Sequence, residues 1–528
     1  MLRIDQLRLT PDRNVSALRR KIAKLLRIGE GDILRVEILR RAVDAREELF
    51  FVYTAAVEVK QEASILRRCR DRRVSRYAPE KYTLPERCSA PEVPPVVVGA
   101  GPAGLFAALV LAHAGLRPIL LERGQPTEQR TLDVEAFWQN GTLDTESNVQ
   151  FGEGGAGAFS DGKLNTGTKD LRHRFILHSL VECGAPESIL IDAKPHVGTD
   201  YLHIVLKNLR QKLLALGCDI RFGHRLEGIR HEAGVLTALT VRNGEEVYTL
   251  PCRQLVLALG HSTRDTVEAL YKDSLAMEAK PFAVGVRIEH RQSDIDAVQY
   301  KQFAGHPALG AATYKLACHL PNGRSAFSFC VCPGGQVVAA ASETGRAVTN
   351  GMSEYARDKE NINGALLVNV TPADFPTDHP LSGIAFQRRL EEAAFALGGG
   401  DYRAPCQRVE DFLLRRPSQG AGSVQPSYRP GVTWCDLHDC LPPFVAETLE
   451  LALPGLEKKL SGYAAPDAVL TAVESRSSAP VRIPRDETCQ ANIRGVYPCG
   501  EGAGYAGGIL SAAADGMRCA EHITGGNV

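Results

Sequence analysis

Apolar and polar positions in the first 60 residues follow the periods of strands and of one helix. The segments LRIDQLRL and DILRVEILRRAV are typical of strands. Between them, Leu18, Ile22, Leu25 and Leu26 recur at helical spacing, and Gly29 is placed to end that helix. Because EELFFVYTAAVEV predicts a further strand, we expect a small α/β unit here.

A different pattern begins after PEVPP at 91–95, a linker that cannot continue a helix or join a central strand. The segment Val96–Val98 is fully apolar, as a strand of a buried parallel sheet is. An apolar helix is predicted at 103–114, and a second apolar strand at 119–121 ends at Glu122. The order is therefore strand, glycine turn, helix and strand.

The remaining chain shows two further patterns. GTDYLHIVLKNLRQKLLALG predicts an amphipathic helix with Thr199 or Asp200 as its N-cap, and Asn243-Gly244 marks a hairpin turn. LVLALG is a buried strand that ends at Gly260. From about 275 to 480, strand and helix signals are mixed, which indicates a second domain. The last 35 residues return to strand, glycine turn and helix.

Length and charge narrow the class of protein. At 528 residues the chain exceeds one core, and about 150 residues per domain suggests two or three domains. Lys plus Arg equals Asp plus Glu at 62 each, so net charge favours neither a nucleic-acid nor a membrane partner. No apolar run approaches the roughly 18 residues that cross a bilayer, and MLRIDQLRLTPDRN lacks the apolar core of a signal peptide. We expect a cytoplasmic protein without a membrane partner.

The 14 cysteines are scattered and do not form the pattern of a disulfide framework. Cys330 and Cys332 are too close in sequence for the usual redox or zinc spacings. Cys435 and Cys440 have the C-x4-C spacing of pyridine-nucleotide disulfide reductases, but those enzymes place the pair soon after the first glycine turn. We expect most cysteines to be small reduced core residues. No H-x-x-H, C-x-x-C or carboxylate cluster indicates a metal.

The pattern G-x-G-x-x-G occurs three times, at Gly99, Gly101 and Gly104, at Gly152, Gly154 and Gly157, and at Gly502, Gly504 and Gly507. It indicates a dinucleotide site only after a strand, before a helix and with an acid about 20 residues on. The first match meets all three conditions, with Glu122 as the acid. In such a turn the glycines let the backbone approach a diphosphate, which binds at the helix N-terminus. Glu122 can accept hydrogen bonds from both ribose hydroxyls.

The other two matches have different contexts. The last follows a strand at 495–498 and precedes a helix at about 510–523, and Glu501 stands directly after the strand. A carboxylate there can bind a polyol hydroxyl, and the helix N-terminus can face an electron-rich ring edge. The alternative is that NAD is the only cofactor, but an NAD site has no polyol chain for the Glu501 carboxylate to bind. The middle match opens no helix, and we expect its loop, which ends at Lys163, to wrap the diphosphate or ring of the same cofactor.

Three features together resemble the FAD-binding fold of glutathione-reductase-like flavoproteins. They are the segment VVVGAGPAG, the acid Glu122 at the end of the second strand, and the late strand before Glu501. Six further segments narrow the resemblance to the uncharacterised FAD-dependent dehydrogenase family of bacteria, over essentially the whole chain. They are FGEGGAGAFSDGKLNT, KPHVGTDYL, FSFCVCPGG, NGMSEYARD, AVESRSSAPVRI and GEGAGYAGGILSAAADG. The resemblance implies FAD, with its adenosine ribose at Glu122 and its ribityl chain at Glu501. It implies no substrate, because the reaction of that family is unassigned.

The fold implied by the resemblance is α/β. It is a Rossmann-like, three-layer FAD/NAD(P)-binding domain with an inserted α+β substrate domain and a small N-terminal α/β domain. The expected division is 1–90 for the N-terminal domain with a basic linker, 91–270 and 485–528 for the FAD-binding domain, and 271–484 for the inserted domain. The cofactor-binding candidates are Gly99, Gly101, Pro102, Ala103, Gly104, Glu122, Arg123, Gly152, Gly154, Gly155, Gly157, Leu226, Gly260, Glu501, Gly507, Gly508 and Ile509.

The expected activity is that of an FAD-dependent oxidoreductase that moves hydride to or from flavin N5. A protein acid or base is needed only if the small-molecule substrate also gains or loses a proton. Lys163 could pair with an anion or with the flavin N1–O2 edge, or it could be a solvated lysine. Arg476 could bind a carboxylate or phosphate, and Tyr505 could stack or hydrogen bond near the ring. Glu343 could face a substrate pocket, although a surface turn is favoured.

Two alternative functions remain at this point. The first is a flavoprotein that modifies RNA, because an arginine-rich stretch at 64–87 follows the small α/β domain. This stretch has no aromatic platform among its arginines on which bases could stack, so a solvated linker or a domain-docking segment is favoured. The second alternative is a non-catalytic flavin-binding scaffold or sensor.

NAD(P)H or another redox partner would have to bind without a dedicated domain, since no second complete nucleotide fingerprint is present.

Overall fold

The computed structural model describes residues 1–13 and 15–525. Its N-terminal unit contains β1 (Leu2–Leu9), α1 (Val15–Leu26), β2 (Ile33–Asp44), β3 (Phe50–Val59), α2 (Glu62–Arg68) and β4 (Val74–Arg76). The four strands form one antiparallel sheet in the order β2-β3-β1-β4. The apolar face of β1 and the helical leucines identified in the sequence pack into one core, so the predicted strand and helix periods of this unit are confirmed.

The second unit supplies a parallel sheet. Its elements are β5 (Val96–Val98), α3 (Pro102–His113), β6 (Ile119–Glu122), α4 (Thr127–Asn140), α5 (Arg172–Glu182), α6 (Thr199–Ala215), β7 (Asp219–Phe222), β8 (His224–Glu232), β9 (Val235–Asn243), β10 (Glu246–Pro251), β11 (Leu255–Leu257) and α7 (Arg264–Lys272). Strands β5, β6, β7 and β11 join a late strand, β22 (Val496–Pro498), in the order β22-β11-β5-β6-β7. All neighbours in this sheet are parallel.

The parallel sheet is covered on both faces. Helix α3 is buried along almost its whole length, which explains why its sequence is apolar on every side. The antiparallel strands β8, β9 and β10 form a separate three-stranded sheet whose apolar residues pack against the other face of β5 and β11. The hairpin between β9 and β10 turns at Asn243-Gly244, as predicted.

One predicted helix cap is wrong. Helix α6 begins at Thr199, but its N-cap is Gly198 with φ of 78°, and the helix has no side-chain cap. The Thr199 hydroxyl donates instead to the Ala158 carbonyl at 2.6 Å, and Asp200 accepts the Tyr355 amide at 2.8 Å. Tertiary partners therefore occupy the two side chains that the local sequence assigns to capping.

The third unit is built on an eight-stranded sheet. Its elements are β12 (Glu278–Ala279), β13 (Phe282–Arg291), α8 (Gln292–Tyr300), β14 (Ala317–His319), β15 (Ser325–Ala339), β16 (Thr349–Met352), β17 (Asn361–Val370), α9 (Ser382–Leu397), β18 (Ala404–Arg408), α10 (Val409–Leu413), β19 (Val432–Trp434), α11 (Pro443–Glu457), β20 (Val469–Glu474) and β21 (Val481–Arg482). The sheet order is β14-β15-β17-β13-β20-β18-β19, with β16 paired to β15. Strands β12 and β21 form a small antiparallel pair.

The chain then returns to the parallel sheet through β22 and ends its described part in α12 (Ile509–Thr524). Helices α12 and α3 pack backbone to backbone, because a Cβ on Gly516 would lie 2.0 Å from the Ala103 carbonyl oxygen. This close crossing brings the N-termini of both helices to the same edge of the sheet. The observed architecture is an α/β fold with a parallel sheet and additional units.

Gly516→Ala should destabilise the protein, because the added methyl group meets backbone that cannot rotate away. We expect a loss of about 1–3 kcal/mol, in spite of the better helix propensity of alanine. Thermal unfolding followed by circular dichroism measures the effect. Gly167→Ala is the control, since no described atom lies within 4 Å of its added Cβ. Equal melting temperatures for the two variants would contradict the close helix crossing.

Candidate functional site

One cavity lies where the two helix N-termini meet the eight-stranded sheet. Its wall includes these predicted site residues: Gly99, Gly101, Pro102, Ala103, Glu122, Arg123, Gly155, Gly157, Lys163, Leu226, Gly260, Arg476, Glu501, Gly508 and Ile509. Six other candidates, Gly104, Gly152, Gly154, Glu343, Tyr505 and Gly507, are outside this wall. The first two glycine patterns and the residues that flank the third therefore meet at one site.

The first glycine turn has the geometry expected of a phosphate turn. Gly99 has φ of 102°, and a Cβ there would lie 2.3 Å from the Ala258 carbonyl oxygen on the neighbouring strand. Gly104 packs against the turn itself, because its Cβ would lie 1.8 Å from the Gly99 carbonyl oxygen. At Gly101, in contrast, the nearest atom to an added Cβ is the Gly155 Cα at 3.9 Å, so the turn backbone is open toward the cavity. These are the bend, packing and approach roles of the three glycines.

Two helix N-termini contribute positive potential to the cavity. Helix α3 begins after Gly101 and α12 begins after Gly508, and in the described part of the chain neither has a side-chain cap or an acid in its first turn. The free N–H groups and the helix dipoles favour an anion or an electron-rich ring edge at both ends. The cavity is thus suited to two electronegative groups of one ligand.

The Glu122 carboxylate organises the adenosine-side wall that the sequence predicts. Its Oε2 accepts the Ala100 amide at 2.7 Å, and its Oε1 accepts the Gly124 and Gly152 amides at 2.9 Å each. A carboxylate has about four acceptor positions, so about one remains for a ligand hydroxyl. Glu122 therefore binds three backbone segments, which is a structural role that the sequence alone does not indicate.

The loop FGEGGAGAFSDG packs around the first glycine turn and is not a second nucleotide turn. The Gly154 amide donates to the Ala100 carbonyl at 2.8 Å, and Gly155 lies against Gly101. Behind the loop, Arg130 is fully buried and its guanidinium donates to four carbonyl oxygens, those of Asn148, Val149, Glu153 and Gly155. This set of bonds explains the glycines, because a Cβ at Gly152 would lie 2.4 Å from the Arg130 side chain.

Glu501 lies directly after β22 and lines the cavity. Burial raises the pKa of its carboxyl to about 7, and the nearby Lys280 ammonium opposes that shift. The next residue, Gly502, lies against the chain at Gly260, since its added Cβ would be 2.3 Å from the Gly260 carbonyl oxygen. The close contact fixes Glu501 beside the end of β11.

The eight-stranded sheet supplies the opposite wall. Phe329 and Cys330 of β15, Asn350 of β16 and Glu474 at the end of β20 all line the cavity. The Phe329 side chain is 44% exposed, which is unusual for a large apolar group inside a folded unit. Glu474 is buried, which raises the pKa of its carboxyl to about 7, although the Arg287 guanidinium counteracts that shift.

The structure gives the four catalytic candidates different surroundings. Lys163 lines the cavity, and its ammonium lies 2.9 Å from an oxygen of buried Asp161, so it is not a solvated lysine. Arg476 also lines the cavity, but its guanidinium bonds to Glu391 at 2.9 and 3.0 Å, which engages the group that would bind a substrate anion.

The remaining two candidates lie outside the cavity wall. Glu343 bonds to Arg264 and Arg388 at 2.6 and 2.9 Å, so it belongs to a charged network. The Arg485 guanidinium lies 3.8 Å from the centroid of the Tyr505 ring. The Tyr505 hydroxyl accepts a hydrogen bond from the Arg485 backbone amide. These contacts place Tyr505 beside the cavity and not on its wall.

Sequence reasoning did not identify the residues of the opposite wall. Phe329, Asn350 and Glu474 belong to three strands that are distant in the chain, and no spacing connects them. Cys330 carries one sequence signal, the Cys330-x-Cys332 pair, whose spacing is unusual for a redox or zinc site. The tertiary fold places Cys330 on the cavity wall.

The basic N-terminal stretch belongs to another surface. Arg68, Arg70 and Arg73 line a cleft with Lys21 and Lys24 of α1, and none of them lines the cavity described above. Some of these charges have partners within the N-terminal unit, such as Arg73 with Asp71 at 2.6 Å.

Comparison with known proteins identifies the cofactor of this protein as FAD. Residues 92–274 match a family model described as "FAD binding domain", and residues 281–477 match one described as "FAD-dependent protein, C-terminal domain-like". An uncharacterised protein of Clostridium beijerinckii is 48% identical over 527 residues, which is 99% of this chain and 98% of that protein. The chain belongs to an uncharacterised family of FAD-dependent proteins. Residues 1–58 match a domain of unknown function.

Two solved structures have a low similarity to this chain. The amino acid oxidase NikD, described as essential for nikkomycin biosynthesis, is 14% identical, with 81% of this chain and 92% of that chain covered and a TM-score of 0.36. A geranylgeranyl bacteriochlorophyll reductase-like protein of Thermoplasma acidophilum is 12% identical, with coverage of 82% and 77% and a TM-score of 0.36. Neither similarity assigns a reaction to this chain.

The residues of the cavity fit FAD. Substituting a side chain at Gly99 would fill the turn, whereas Gly260 and Gly508 have no described atom within 4 Å of an added Cβ and leave room for a ligand. Two uncapped helix N-termini, one carboxylate at each end and a floor of glycine backbone are the donors and acceptors that a dinucleotide with a flavin ring requires. FAD is the cofactor that the family comparison and this donor set both indicate.

Two searches of the described residues complete the description of the site. No helix among them is long and apolar enough to span a membrane. No group of three or more His, Cys, Asp or Glu side chains in the same residues is arranged to hold a metal ion.

Glu122→Ala should weaken FAD binding by about 10- to 100-fold. The change removes the acceptor of three backbone amides, and hydrogen bonds to a charged group contribute about 1.5–3 kcal/mol each. Fluorescence titration of the FAD-free protein with FAD measures the affinity. Glu135→Ala is the control, because Glu135 is exposed on α4. An unchanged affinity in Glu122→Ala would contradict the role given to this carboxylate.

Proposed function

We propose that this protein is an FAD-dependent oxidoreductase that transfers a hydride between a small-molecule substrate and flavin N5. The observation that supports the proposal best is the composition of the cavity wall. One side consists of the FAD-binding unit, and the other consists of polar side chains from the strands of a second unit. A site shared between two such units can hold a cofactor on one side and a substrate on the other.

The cofactor-binding residues of the proposal follow the positions of their elements. The diphosphate would bind at Gly101 and the start of α3, and the adenosine ribose would use the remaining acceptor of Glu122. Glu501 would accept hydrogen bonds from the ribityl hydroxyls, and the start of α12 at Gly508 would face the pyrimidine edge of the flavin. Gly155 and Gly157 would cover the diphosphate.

Bound FAD supplies the two-electron chemistry of such an enzyme. The residues of this chain bind the substrate, exclude water and manage protons. Glu474 is the strongest candidate for proton exchange with a substrate, because it lines the cavity and its buried carboxyl has a pKa of about 7. Asn350 and the Lys163 ammonium are the neighbouring groups that can orient a polar substrate.

The domain division of the sequence is part of the proposal. The FAD-binding unit would be discontinuous, at 91–270 and 485–528, and the unit at 271–484 would set the substrate. This arrangement agrees with a parallel sheet that takes its last strand, β22, from the C-terminal segment.

The purified protein should be yellow and should release about one FAD per chain on denaturation. Reduction by a small-molecule substrate should bleach the flavin absorbance with saturable kinetics under anaerobic conditions. Absorbance spectra of the native and denatured protein, followed by stopped-flow screening of candidate donors, measure both results. A colourless protein that binds no added FAD would overturn the proposal, and a flavin that no donor reduces would favour a scaffold or sensor.

The affinity for FAD should rise with pH between about 6 and 8. Burial holds the pKa of Glu501 at about 7 in the free site, and hydroxyl donors favour the ionised form, so FAD binding is coupled to proton release. We expect an increase of about three- to tenfold across this range, measured by titration at each pH. Glu501→Gln should remove the pH dependence, because an amide does not ionise. The same slope in both proteins would contradict the role of Glu501.

The RNA-modifying alternative has a separate test. The basic cleft shares no wall residue with the main cavity. If nucleic acid co-purified with the protein and were lost on deletion of residues 1–90, that alternative would be favoured instead.

A further inference from the structure

Two cysteines at the cavity have no part in the proposed hydride transfer. Cys330 lines the cavity, and Cys332, two residues further along β15, is fully buried. Both thiols are free. Among the described cysteines, Cys330 and Cys499 line the cavity wall. The Cys330–Cys332 pair therefore places one thiol on the wall and a second thiol two residues along the same strand.

The backbone at Cys330 departs from regular strand geometry. Cys330 has φ of 41°, in the left-handed region that a cysteine seldom adopts. The register with β17 shifts between Phe329 and Cys332, which marks a β-bulge. A residue held in this region is strained, and such residues are found at functional sites more often than elsewhere. The bulge breaks the regular alternation of the strand beside the cavity.

A buried arginine holds the bulge. The Arg287 guanidinium donates to the Cys330 carbonyl at 2.8 Å, to Glu474 at 2.7 Å and to Asn350 at 2.8 Å. These three partners come from three different strands that line the cavity. The Cys332 thiol donates to the same Cys330 carbonyl at 3.4 Å. The conformation of the pair is therefore specified by side chains and not left to a flexible loop.

The electrostatics favour one thiolate in the pair. The Cys332 side chain also lies within hydrogen-bonding reach of the Cys330 sulfur. Together with the nearby Lys163 and Arg287 cations, it holds the pKa of Cys330 well below its usual range, although burial opposes that shift. Three acidic groups face the same region. Asp161 is bound to Lys163 and to Arg357, Glu474 is bound to Arg287, and the third is Glu501.

We propose that Cys330 and Cys332 form a redox-active dithiol that exchanges two electrons with FAD bound in this cavity. The proposal requires bound FAD but does not depend on the hydride-transfer reaction of the proposed function. Cys330 is the cavity-facing thiolate, and Cys332 is the buried partner that completes the disulfide.

The exchange balances in atoms and charge. The Cys330 thiolate and the Cys332 thiol form one S–S bond and release two electrons and one proton. Oxidised FAD takes up the two electrons and the proton, which gives the anionic two-electron-reduced flavin. The reverse reaction reduces the disulfide. The pair thereby stores one additional pair of electrons per chain, and Lys163 balances the negative charge of the thiolate.

Anaerobic dithionite titration of the ferricyanide-oxidised holoprotein tests the proposal. We expect uptake of about four electrons per FAD in the natural protein and about two in Cys330→Ser or Cys332→Ser. Cys435→Ser is the matched control, because Cys435 lies outside the cavity wall, and it should still take up about four. Uptake of about two electrons by the natural protein would overturn the proposal.

Peptide mass spectrometry gives a second test that does not depend on the variants folding. After oxidation, the natural holoprotein should contain an internal disulfide in the peptide that includes residues 330–332, and that bond should disappear on dithionite reduction. In the reduced protein, iodoacetamide should alkylate Cys330 at a lower pH than exposed Cys88. Two free thiols at 330 and 332 after oxidation, or an alkylation profile at Cys330 like that at Cys88, would contradict the assignment.

Discussion

The site depends on one buried carboxylate more than on any other group. Glu122 accepts amides from the first glycine turn, from the end of its own strand and from the loop that begins at Phe151. The three amides belong to Ala100, Gly124 and Gly152, which have no polar side chains. Because the carboxylate is buried and carries three hydrogen bonds, the backbone around the cavity is set before any ligand binds.

A second constraint joins the FAD-binding unit to the unit that covers it. Arg264 of α7 and Arg476 beyond β20 both bond to Glu391 of α9, and all three side chains are buried. Buried ion pairs contribute little net stability, but loss of one partner leaves an uncompensated charge. The network therefore specifies how the two units meet. It also explains why Arg476, although it lines the cavity, has little capacity left for a substrate.

The two proposals assign different tasks to the two walls of the cavity. The glycine turns and helix N-termini bind the cofactor through backbone groups, whereas the strands of the covering unit present side chains. Glu474 and Cys330 are adjacent on that second wall through their shared contact with Arg287. A proton-exchanging acid and a thiolate held by one cation form a wall on which substrate oxidation and storage of electrons as a disulfide can be coupled. The substrate itself is to be identified by reduction of the flavin.

The sequence by itself determined the parts of this protein that depend on local spacing. The turn at Gly99 and the acid at Glu122 were predicted, because a phosphate-binding turn requires particular residues within about 20 positions. The cofactor FAD and the role of Glu501 were implied by the resemblance to a flavoprotein family. The opposite wall was decided only by the tertiary structure. Phe329, Cys330 and Glu474 meet through the order of strands in the eight-stranded sheet, and no local period encodes which strands pair. For the same reason the N-cap of α6 was predicted wrongly, since long-range partners had taken the side chains that local rules assign to the cap.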